Sequence, residues 1–355
     1  MANKFFIKDL VINYFKGNMI LSEKRLQIIS NKGEMMNRDL GINLCRVTEA
    51  AALGSAKFLG QGRKNESDNI AVDQMRAMFS YLGINGKVVI GEGEIDEAPM
   101  LYIGEQIGDP KAANQVDIAV DPIDGTTSLS NGTSNSISVI AVAPKGCLLN
   151  APDVYMNKIA AGPLAKGKID INKPVKENIE NVAKALGKKV GDVTVSVLHR
   201  DRHEKLVKEI REAGARISMV EDGDILTAIA TCISNGKIDL IMGVGGAPEG
   251  VIAAAALKCL GGDFQGTFAP SDYKQVKRCL KMGVDFDKVY KIEDLVKGDD
   301  VLFAATGITD GTLLKGVSFM NKNMASTQSL LLRLPSGTIR FIDSVHKLDQ
   351  KLDQK

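Results

Sequence analysis

Two carboxylates end an apolar, strand-like segment of the chain. Asp121 and Asp124 close the run VDIAVDPID at 116–124, and Pro122 lies between them. Strand interiors rarely contain Asp or Pro, so these residues mark the end of the strand. Pro122 fixes one backbone angle and Gly125 permits a sharp turn, which favours convergence of the two side chains. Crowded carboxylates repel one another, and a bound divalent cation removes that cost. The stretch indicates either a cation site or a capped strand end.

Further acidic residues stand at comparable places: Asp68, Glu92, Asp96, Asp222, Asp224 and Glu249. Each has a purely structural explanation. Asp68, Asp222 and Asp224 suit helix N-caps. Glu249 suits the first turn of a helix, and Glu92 suits a solvated turn. The structural explanation must hold at every strand end separately, whereas a metal site needs a single cleft.

Histidine and cysteine offer no alternative metal site. The chain has three histidines and five cysteines. The cysteines are scattered and form no CxxC pair, a pattern typical of reduced, cytoplasmic proteins. His199 and His203 straddle a predicted strand–helix junction, which argues against a shared metal. A metal site must therefore use carboxylates, which are ligands for Mg²⁺ or Mn²⁺.

The residues after the acidic pair suit a phosphate. Gly125, Thr126 and Thr127 can present backbone N–H groups as a nest or helix start, and Thr126 adds a hydroxyl beside the proposed metals. The combination predicts metal-assisted phosphoryl transfer to water. The stretch GVGGAPEG at 243–250 is no dinucleotide fingerprint, because Pro248 replaces the third glycine.

Bulk composition narrows the class of partner. The 355 residues are 44% hydrophobic and 25% charged, so a sizeable core is expected. The net charge is +2 and no dense basic cluster occurs, which argues against nucleic acid. No apolar stretch approaches the roughly 20 residues that span a bilayer. We therefore expect a small-molecule partner, no membrane and a cytoplasmic location. The composition of the N-terminal extension, residues 1–36, favours an appended amphipathic helix or an upstream start over a targeting segment.

Periodicity predicts an α/β fold. Helices are expected at 40–58, 68–83, 203–214, 222–233 and 247–260, and strands at 87–91, at Ala119 and Val120, and at 137–143, 193–199, 215–220 and 239–244. The alternation after residue 190 predicts a parallel sheet with crossover helices, whose ligands lie at the carboxyl ends of the strands. Four segments are predicted: 1–36 is an extension of unknown role, 37–188 a mixed α+β half with most metal ligands, 189–346 an α/β half with substrate contacts and Glu249, and 347–355 a polar tail.

Several strings make a family resemblance visible. DPIDGT at 121–126 resembles the signature of the lithium-sensitive, metal-dependent sugar and inositol phosphatases. The chain is further similar to the class II fructose-1,6-bisphosphatases over 37–346, through VIGEGEIDEAPMLYIGE (89–105), NAPDVYMNKIAAGP (150–163), DGD (222–224) and GVGGAPEGV (243–251). The resemblance implies a layered αβαβα sandwich and a homo-oligomer, a dimer or tetramer. It also implies removal of the 1-phosphate of fructose 1,6-bisphosphate in gluconeogenesis, with Mn²⁺ or Mg²⁺.

The resemblance also assigns residues. The implied metal ligands are Asp68, Glu92, Asp121, Asp124 and Glu249. Thr126, assisted by Asp96, would orient and deprotonate the attacking water. The implied substrate contacts are Asp124, Gly125, Thr126, Tyr155, Arg200, Asp201, Arg202, Asp222, Gly223, Asp224 and Gly246. Arg200 and Arg202 follow a predicted strand, where a clamp on the remote phosphate is expected; the alternative is a solvated basic turn.

One position departs from the family pattern, and three readings of function stay open. Many members have Glu where this chain has Asp124, and the side chain that is shorter by one methylene changes ligand reach and metal preference. A close variant of the bisphosphatase would also cleave sedoheptulose 1,7-bisphosphate. The alternatives are a phosphatase of the inositol monophosphatase kind and a non-catalytic sugar-phosphate sensor.

Overall fold

The computed structural model of the chain describes residues 36–37, 39–93, 101–233, 237–321 and 323–349. Asp96 and nearly all of the predicted N-terminal extension lie outside these described residues. The strands are β1 (Asn85–Ile90), β2 (Gln106–Gly108), β3 (Gln115–Asp124), β4 (Ile137–Pro144), β5 (Tyr155–Ala161), β6 (Thr194–Leu198), β7 (Arg216–Val220), β8 (Leu240–Gly246), β9 (Asp263–Phe268), β10 (Tyr290–Lys291), β11 (Leu302–Gly307), β12 (Ser318–Asn321), β13 (Met324–Arg333) and β14 (Thr338–Lys347).

Two of the described α-helices precede β1, and the others lie between later strands. They are α1 (Leu40–Ser55), α2 (Lys64–Phe79), α3 (Thr126–Asn131), α4 (Val175–Leu186), α5 (Glu204–Glu212), α6 (Ile225–Ile233), α7 (Ala247–Leu260), α8 (Tyr273–Lys281) and α9 (Ile292–Leu295). In the described ranges, no helix is both long and apolar enough to span a membrane.

The described strands form two mixed sheets. The first has the order β12-β13-β11-β4-β3-β1-β2, with β14 paired to β13, and the second has the order β10-β9-β5-β8-β6-β7. In the second sheet β6 runs parallel to β7 and β8, as the α/β alternation predicts. The neighbours β5, β9 and β10 add antiparallel pairs. The chain changes sheet between β4 and β5, ahead of residue 188, and returns to the first sheet at β11; the division into halves stays a prediction.

Three hydrophobic clusters stack the sheets and helices into five layers. Helices α1 and α2 cover one face of the first sheet. Helices α6 and α7 lie between the two sheets, and α4 and α5 cover the outer face of the second. The sequence of α7, APEGVIAAAALKCL, explains its central place, because a helix that is apolar on all sides must be buried on all sides. The predicted αβαβα arrangement is confirmed.

Two predicted helix starts are wrong, and one of them matters for the site. The helix expected to begin at Asp68 begins at Lys64, and Arg63 occupies its N-cap position. Asp68 therefore lies inside α2, and its N-cap explanation fails. The helix expected to begin at Asp222 begins at Ile225. Asp222 instead accepts a hydrogen bond from the N–H of Thr127 in α3, 3.0 Å away. Its carboxylate thus joins the second sheet to a helix of the first.

Candidate active site

The acidic pair, Asp121 and Asp124, lies in an irregular stretch at the end of β3. The register between β3 and β4 shifts between Asp121 and Asp124, so the backbone bulges there. The N–H of Ile123 donates to Asp121 Oδ1 at 3.0 Å, which fixes that side chain over the turn. Gly125 follows with φ +94°, and a Cβ atom there would lie 3.3 Å from Ser136 Cα. A glycine is therefore needed to start α3 at this place.

Thr126 and Asp68 form a hydrogen-bonded pair beside this turn. Thr126 Oγ1 lies 3.2 Å from Asp68 Oδ1 and 3.1 Å from the carbonyl oxygen of Ile123. Since both neighbours are acceptors, the hydroxyl donates its single proton to them, and its lone pairs face away. Desolvation raises the pKa of Asp68, against the opposing effects of Thr126 and Lys64.

Glu249 reaches the same region from the first turn of α7. Gly246 is the N-cap residue of that helix, and a Cβ atom there would lie 1.9 Å from Glu249 Oε2. The carboxylate therefore folds back over the helix start, into space that only a glycine leaves open. The first-turn explanation from sequence is correct for the position of Glu249 in the helix, but it does not account for the direction of the side chain.

Mutual repulsion shows that the predicted ligands are neighbours. Burial, followed by repulsion from Asp124 and Glu92, raises the pKa of Asp121 well above its usual range. Burial also raises the pKa of Asp124 well above its usual range, with Glu249 among the carboxylates that add to it. The pKa of Glu249 is raised by burial and lowered by Lys158.

Glu92 is the most exposed member of the acidic group, which comprises Asp68, Glu92, Asp121, Asp124 and Glu249. Desolvation, followed by repulsion from Asp68 and Glu249, raises the pKa of Glu92 to about 7. Its side chain is nevertheless exposed, so water screens part of that effect.

Two carboxylate oxygens in this group have no protein partner. Asp124 Oδ2 and Glu249 Oε2 are buried and accept no hydrogen bond. An ionised oxygen in that state is costly unless a cation neutralises it. Within the described residues, no three acidic, His or Cys side chains already close around a common point. The all-oxygen donor set fits Mg²⁺ or Mn²⁺.

A cleft of about 400 Å³ adjoins the acidic group. Asp124 and Glu249 line it on one side. The lining also includes, among others, Tyr155, Arg200, Arg202, Asp222, Gly223, Asp224 and Gly246. Three of the predicted substrate contacts, Gly125, Thr126 and Asp201, are not among the lining residues, and Asp201 is exposed. The sequence predicts that the N–H of Thr127 is available to a phosphate. In the structure this N–H already donates a hydrogen bond to Asp222.

The two arginines of the cleft are held differently. Arg200 Nη2 pairs with Asp222 Oδ1 at 2.8 Å. The guanidinium of Arg202 donates to the carbonyl oxygen of Val244 from Nε (3.1 Å) and Nη2 (2.8 Å). It also lies over the ring of Tyr155, 4.7 Å from the ring centre. Both guanidinium groups thus have protein partners, although Arg202 is exposed, and the clamp on the remote phosphate stays a prediction.

Sequence reasoning missed Lys158, a buried lysine of β5 that pairs with an acid of the cleft. Its amine pairs with Asp224 Oδ2 at 2.5 Å and donates to the carbonyl oxygen of Gly246 at 2.9 Å. The residue is 3% exposed. A lone lysine in the apolar strand YMNKIAA is a usable signal, because a buried amine requires a carboxylate or carbonyl partner.

Solved structures include distant resemblances. The extragenic suppressor protein suhB from Bartonella henselae is 13% identical, with a TM-score of 0.33, and the match covers 57% of this chain and 75% of that one. An extragenic suppressor from Pyrococcus furiosus is 15% identical, with a TM-score of 0.30, over 57% of this chain and 72% of that one. At such scores neither match carries an argument here.

The sequence comparisons are far closer. "Fructose-1,6-bisphosphatase 1 class 2" of Escherichia coli (strain K12) is 47% identical over 329 residues, which cover 89% of this chain and 97% of that protein. "Fructose-1,6-bisphosphatase class 2" of Haemophilus influenzae is 47% identical over 327 residues, or 88% and 98%. Residues 38–346 match the family described as "Bacterial fructose-1,6-bisphosphatase, glpX-encoded". The chain belongs to this family of bacterial fructose-1,6-bisphosphatases.

Proposed function

We propose that this chain hydrolyses the 1-phosphate of fructose 1,6-bisphosphate in gluconeogenesis, with a divalent metal. One water is consumed, the bond between phosphorus and the ester oxygen at C1 breaks, and fructose 6-phosphate and phosphate are released. The observation that carries the proposal is the pair of buried, unpartnered oxygens of Asp124 and Glu249 facing a cleft that also holds two arginines. Cytoplasmic location and a homo-oligomeric assembly stay predictions.

The acidic group holds the metal in this proposal. Asp68, Glu92, Asp121, Asp124 and Glu249 supply oxygen donors, which suit Mn²⁺ or Mg²⁺. A divalent cation bound there supplies Lewis-acid activation of the phosphate and of water near neutral pH. The raised pKa values of these acids fall once a cation favours their ionised forms.

Thr126 and Asp68 orient and deprotonate the attacking water. Because Thr126 donates its proton toward Asp68 Oδ1, its oxygen is left as an acceptor for a proton of the water. Asp68 can then receive a proton through the hydroxyl, since the two groups are already joined by a hydrogen bond. Asp96, the acid assigned to this step by family resemblance, lies outside the described residues, so its part stays a prediction.

The arginine side of the cleft binds the phosphate that is not cleaved. Arg200 and Arg202 are the cationic groups there, and guanidinium is well suited to phosphate oxygens. The ring of Tyr155 makes a cation–π contact with the guanidinium of Arg202. Asp222 and Asp224 also line the cleft and can accept hydrogen bonds from sugar hydroxyls.

The first experiment is phosphate release from fructose 1,6-bisphosphate by metal-stripped protein. Mn²⁺, Mg²⁺ or no metal is added back, and the sugar product is identified. We expect turnover that requires metal and yields fructose 6-phosphate. Absence of turnover with either metal would contradict the proposal and redirect the search to other sugar and inositol phosphates.

The arginine side has its own test. Arg202→Ala should raise KM for the bisphosphate by about tenfold to a hundredfold, because hydrogen bonds between charged groups contribute roughly 1.5–3 kcal/mol. Arg211→Ala, an exposed arginine on α5, is the matched control and should leave KM unchanged. An Arg202→Ala enzyme with wild-type kcat/KM would favour a monophosphate substrate of the inositol phosphatase kind.

A further inference from the structure

His203 lies almost completely inside the protein, directly before α5. It is 2% exposed. Its Nδ1 lies 2.7 Å from the carbonyl oxygen of Leu198, and its Nε2 lies 2.7 Å from the backbone nitrogen of Val244. Since a carbonyl accepts and a backbone N–H donates, the contacts assign one state: the proton is on Nδ1, and Nε2 is a neutral acceptor.

The bond to Val244 fills a gap in the second sheet. The parallel ladder between β6 and β8 pairs Val195 with Leu240 and Ser196 with Ile241. Val244 lies beyond those pairs, on the same strand β8. The imidazole of His203 supplies the acceptor that Val244 needs there, since an unsatisfied backbone N–H is costly.

The backbone of β8 is shaped to admit this ring. Gly243 has φ +142°, and a Cβ atom there would lie 3.0 Å from His203 Nε2. A side chain at Gly243 would therefore press on the very atom that accepts the hydrogen bond. The close approach needs glycine both for space and for the backbone angle.

Val244 connects His203 to the cleft. Its N–H is held by His203, and its carbonyl oxygen accepts both hydrogen bonds from Arg202. Arg202 is exposed and has the Tyr155 ring on its other side. The position of the guanidinium thus depends on the Val244 peptide units, whose orientation depends on His203.

We infer that His203 is a positioning residue that, through Val244, aims Arg202 at the remote phosphate and so sets the preference for a bisphosphate over a monophosphate. This inference rests on the proposed function of the cleft. His203 touches no substrate itself, because its ring is buried and is not among the residues that line the cleft. Its contribution is to the affinity for the remote phosphate, and kcat depends on the acidic group instead.

The charge state of His203 is part of this arrangement. Burial lowers the pKa of His203, the carbonyl of Leu198 opposes that effect, and Arg202 and Arg200 add to it. Asp224 raises the pKa, and Lys158 faces His203 across a small internal cavity of about 20 Å³ that all three side chains line. A protonated ring would set an N–H against the N–H of Val244, and the hydrogen bond would be lost. Affinity for the bisphosphate should therefore weaken at acidic pH.

Two variants and two substrates test the inference. His203→Leu removes both hydrogen bonds, whereas the amide oxygen of His203→Gln can still accept from Val244. For each enzyme, kcat/KM is measured for fructose 1,6-bisphosphate and for fructose 1-phosphate at neutral pH. We expect His203→Leu to lower the ratio of the two values by about tenfold, through KM, since about 1.4 kcal/mol corresponds to that factor. His203→Gln should retain most of the ratio.

The opposite results would overturn the inference. A His203→Leu enzyme with the wild-type ratio, or one whose kcat falls while KM stays constant, contradicts a positioning role. If His203→Leu does not fold, as judged by circular dichroism, the pH profile decides. Because the substrate phosphates also gain protons below about pH 6, the comparison between enzymes is decisive. On acidification KM of the wild type should rise more than that of His203→Gln; equal profiles would overturn the inference.

Arg202→Ala separates this inference from the proposed function. If Arg202→Ala leaves the substrate ratio unchanged, the remote phosphate is not bound by this arginine, and the proposed role of the cleft fails. If Arg202→Ala lowers the ratio and a folded His203→Leu does not, the cleft works as proposed and the inference about His203 alone is wrong.

Discussion

The two sides of the cleft are stabilised in opposite ways. On the carboxylate side, formed by Asp124 and Glu249 with Asp121 next to them, burial raises every pKa, and two oxygens have no partner. On the arginine side, formed by Arg200 and Arg202, both guanidinium groups already donate to protein acceptors. On the first side Lys158 offsets only part of the cost of burying the acids, whose pKa values stay raised, whereas the second side is held in place by hydrogen bonds to the protein.

This difference separates chemistry from affinity. Side chains that repel one another reach a productive arrangement only with a cation between them, so a change on the carboxylate side should affect turnover and metal binding. A preorganised arginine side requires no such addition, so changes there should affect KM. The variants below are chosen to break or sharpen that contrast.

Asp121→Asn should have the largest effect. It removes a charged donor from the centre of the acidic group, and we expect turnover to fall by about a thousandfold. The metal-free variant should also unfold at a higher temperature than the metal-free wild type, because burial and repulsion already raise the pKa of Asp121. Phosphate release and calorimetry measure the two effects.

The matched control for this change is Asp73→Asn, an exposed acid on α2. It should alter neither turnover nor unfolding temperature. An Asp121→Asn enzyme that turns over at the wild-type rate would remove Asp121 from the metal site.

Thr126→Ala should lower kcat by about a hundredfold with little change in KM, as expected for loss of a proton-transfer group. The pair with Asp68 Oδ1 at 3.2 Å is the structural reason. Thr126→Ser keeps the hydroxyl and should recover most of the activity. Steady-state kinetics decide the matter: a rise in KM alone would make Thr126 a binding residue and require another group to activate the water.

Gly246→Ala should weaken Mn²⁺ binding by about tenfold, comparable to the loss of a residue that supports a metal ligand. The added methyl group would overlap Glu249 Oε2, so the carboxylate must turn away. Gly83→Ala is the control, because a Cβ atom there meets nothing within 4 Å. Isothermal titration of the metal-stripped proteins gives both affinities, and equal values would remove Glu249 from the site.

Local sequence patterns predicted the elements better than their assembly. The apolar face of Val72, Met75 and Phe79 predicted α2, but the polar start of that helix at Lys64 carries no apolar period and was missed. Strands β4 and β11 are far apart in the chain but pair in the sheet, and no local sequence pattern predicts this pairing. Strand and helix types are local properties, whereas sheet order is a property of the whole fold.

The same division applies to the site. Acids at strand ends were expected to converge because strand ends share an edge, and Asp121, Asp124 and Glu249 do lie close enough to perturb one another. The hydrogen bond of Asp222 to Thr127 and the bond of His203 to Val244 were not expected. Both join distant segments, and no spacing along the chain indicates them.

The smallest predicted effect is on stability as a function of pH. In the folded protein the pKa of Glu92 is raised to about 7 from the ordinary glutamate value of 4.5. Between those values the folded state binds more protons than the unfolded state, so stability falls as pH rises. We expect the unfolding temperature of the metal-free protein to drop by a few degrees across this window, since exposure of the side chain limits the effect.

Added Mn²⁺ should reverse that slope, because a bound cation favours the ionised carboxylates and binding strengthens as they lose protons. Calorimetry at a series of pH values, with and without Mn²⁺, measures both slopes. Arg202→Ala should leave them unchanged, since Arg202 contacts Val244 and Tyr155 and is not among the groups that shift the pKa of Glu92. If the metal-free protein instead gained stability across the window, or if Arg202→Ala altered the slope, the two sides of the cleft would not be electrostatically distinct.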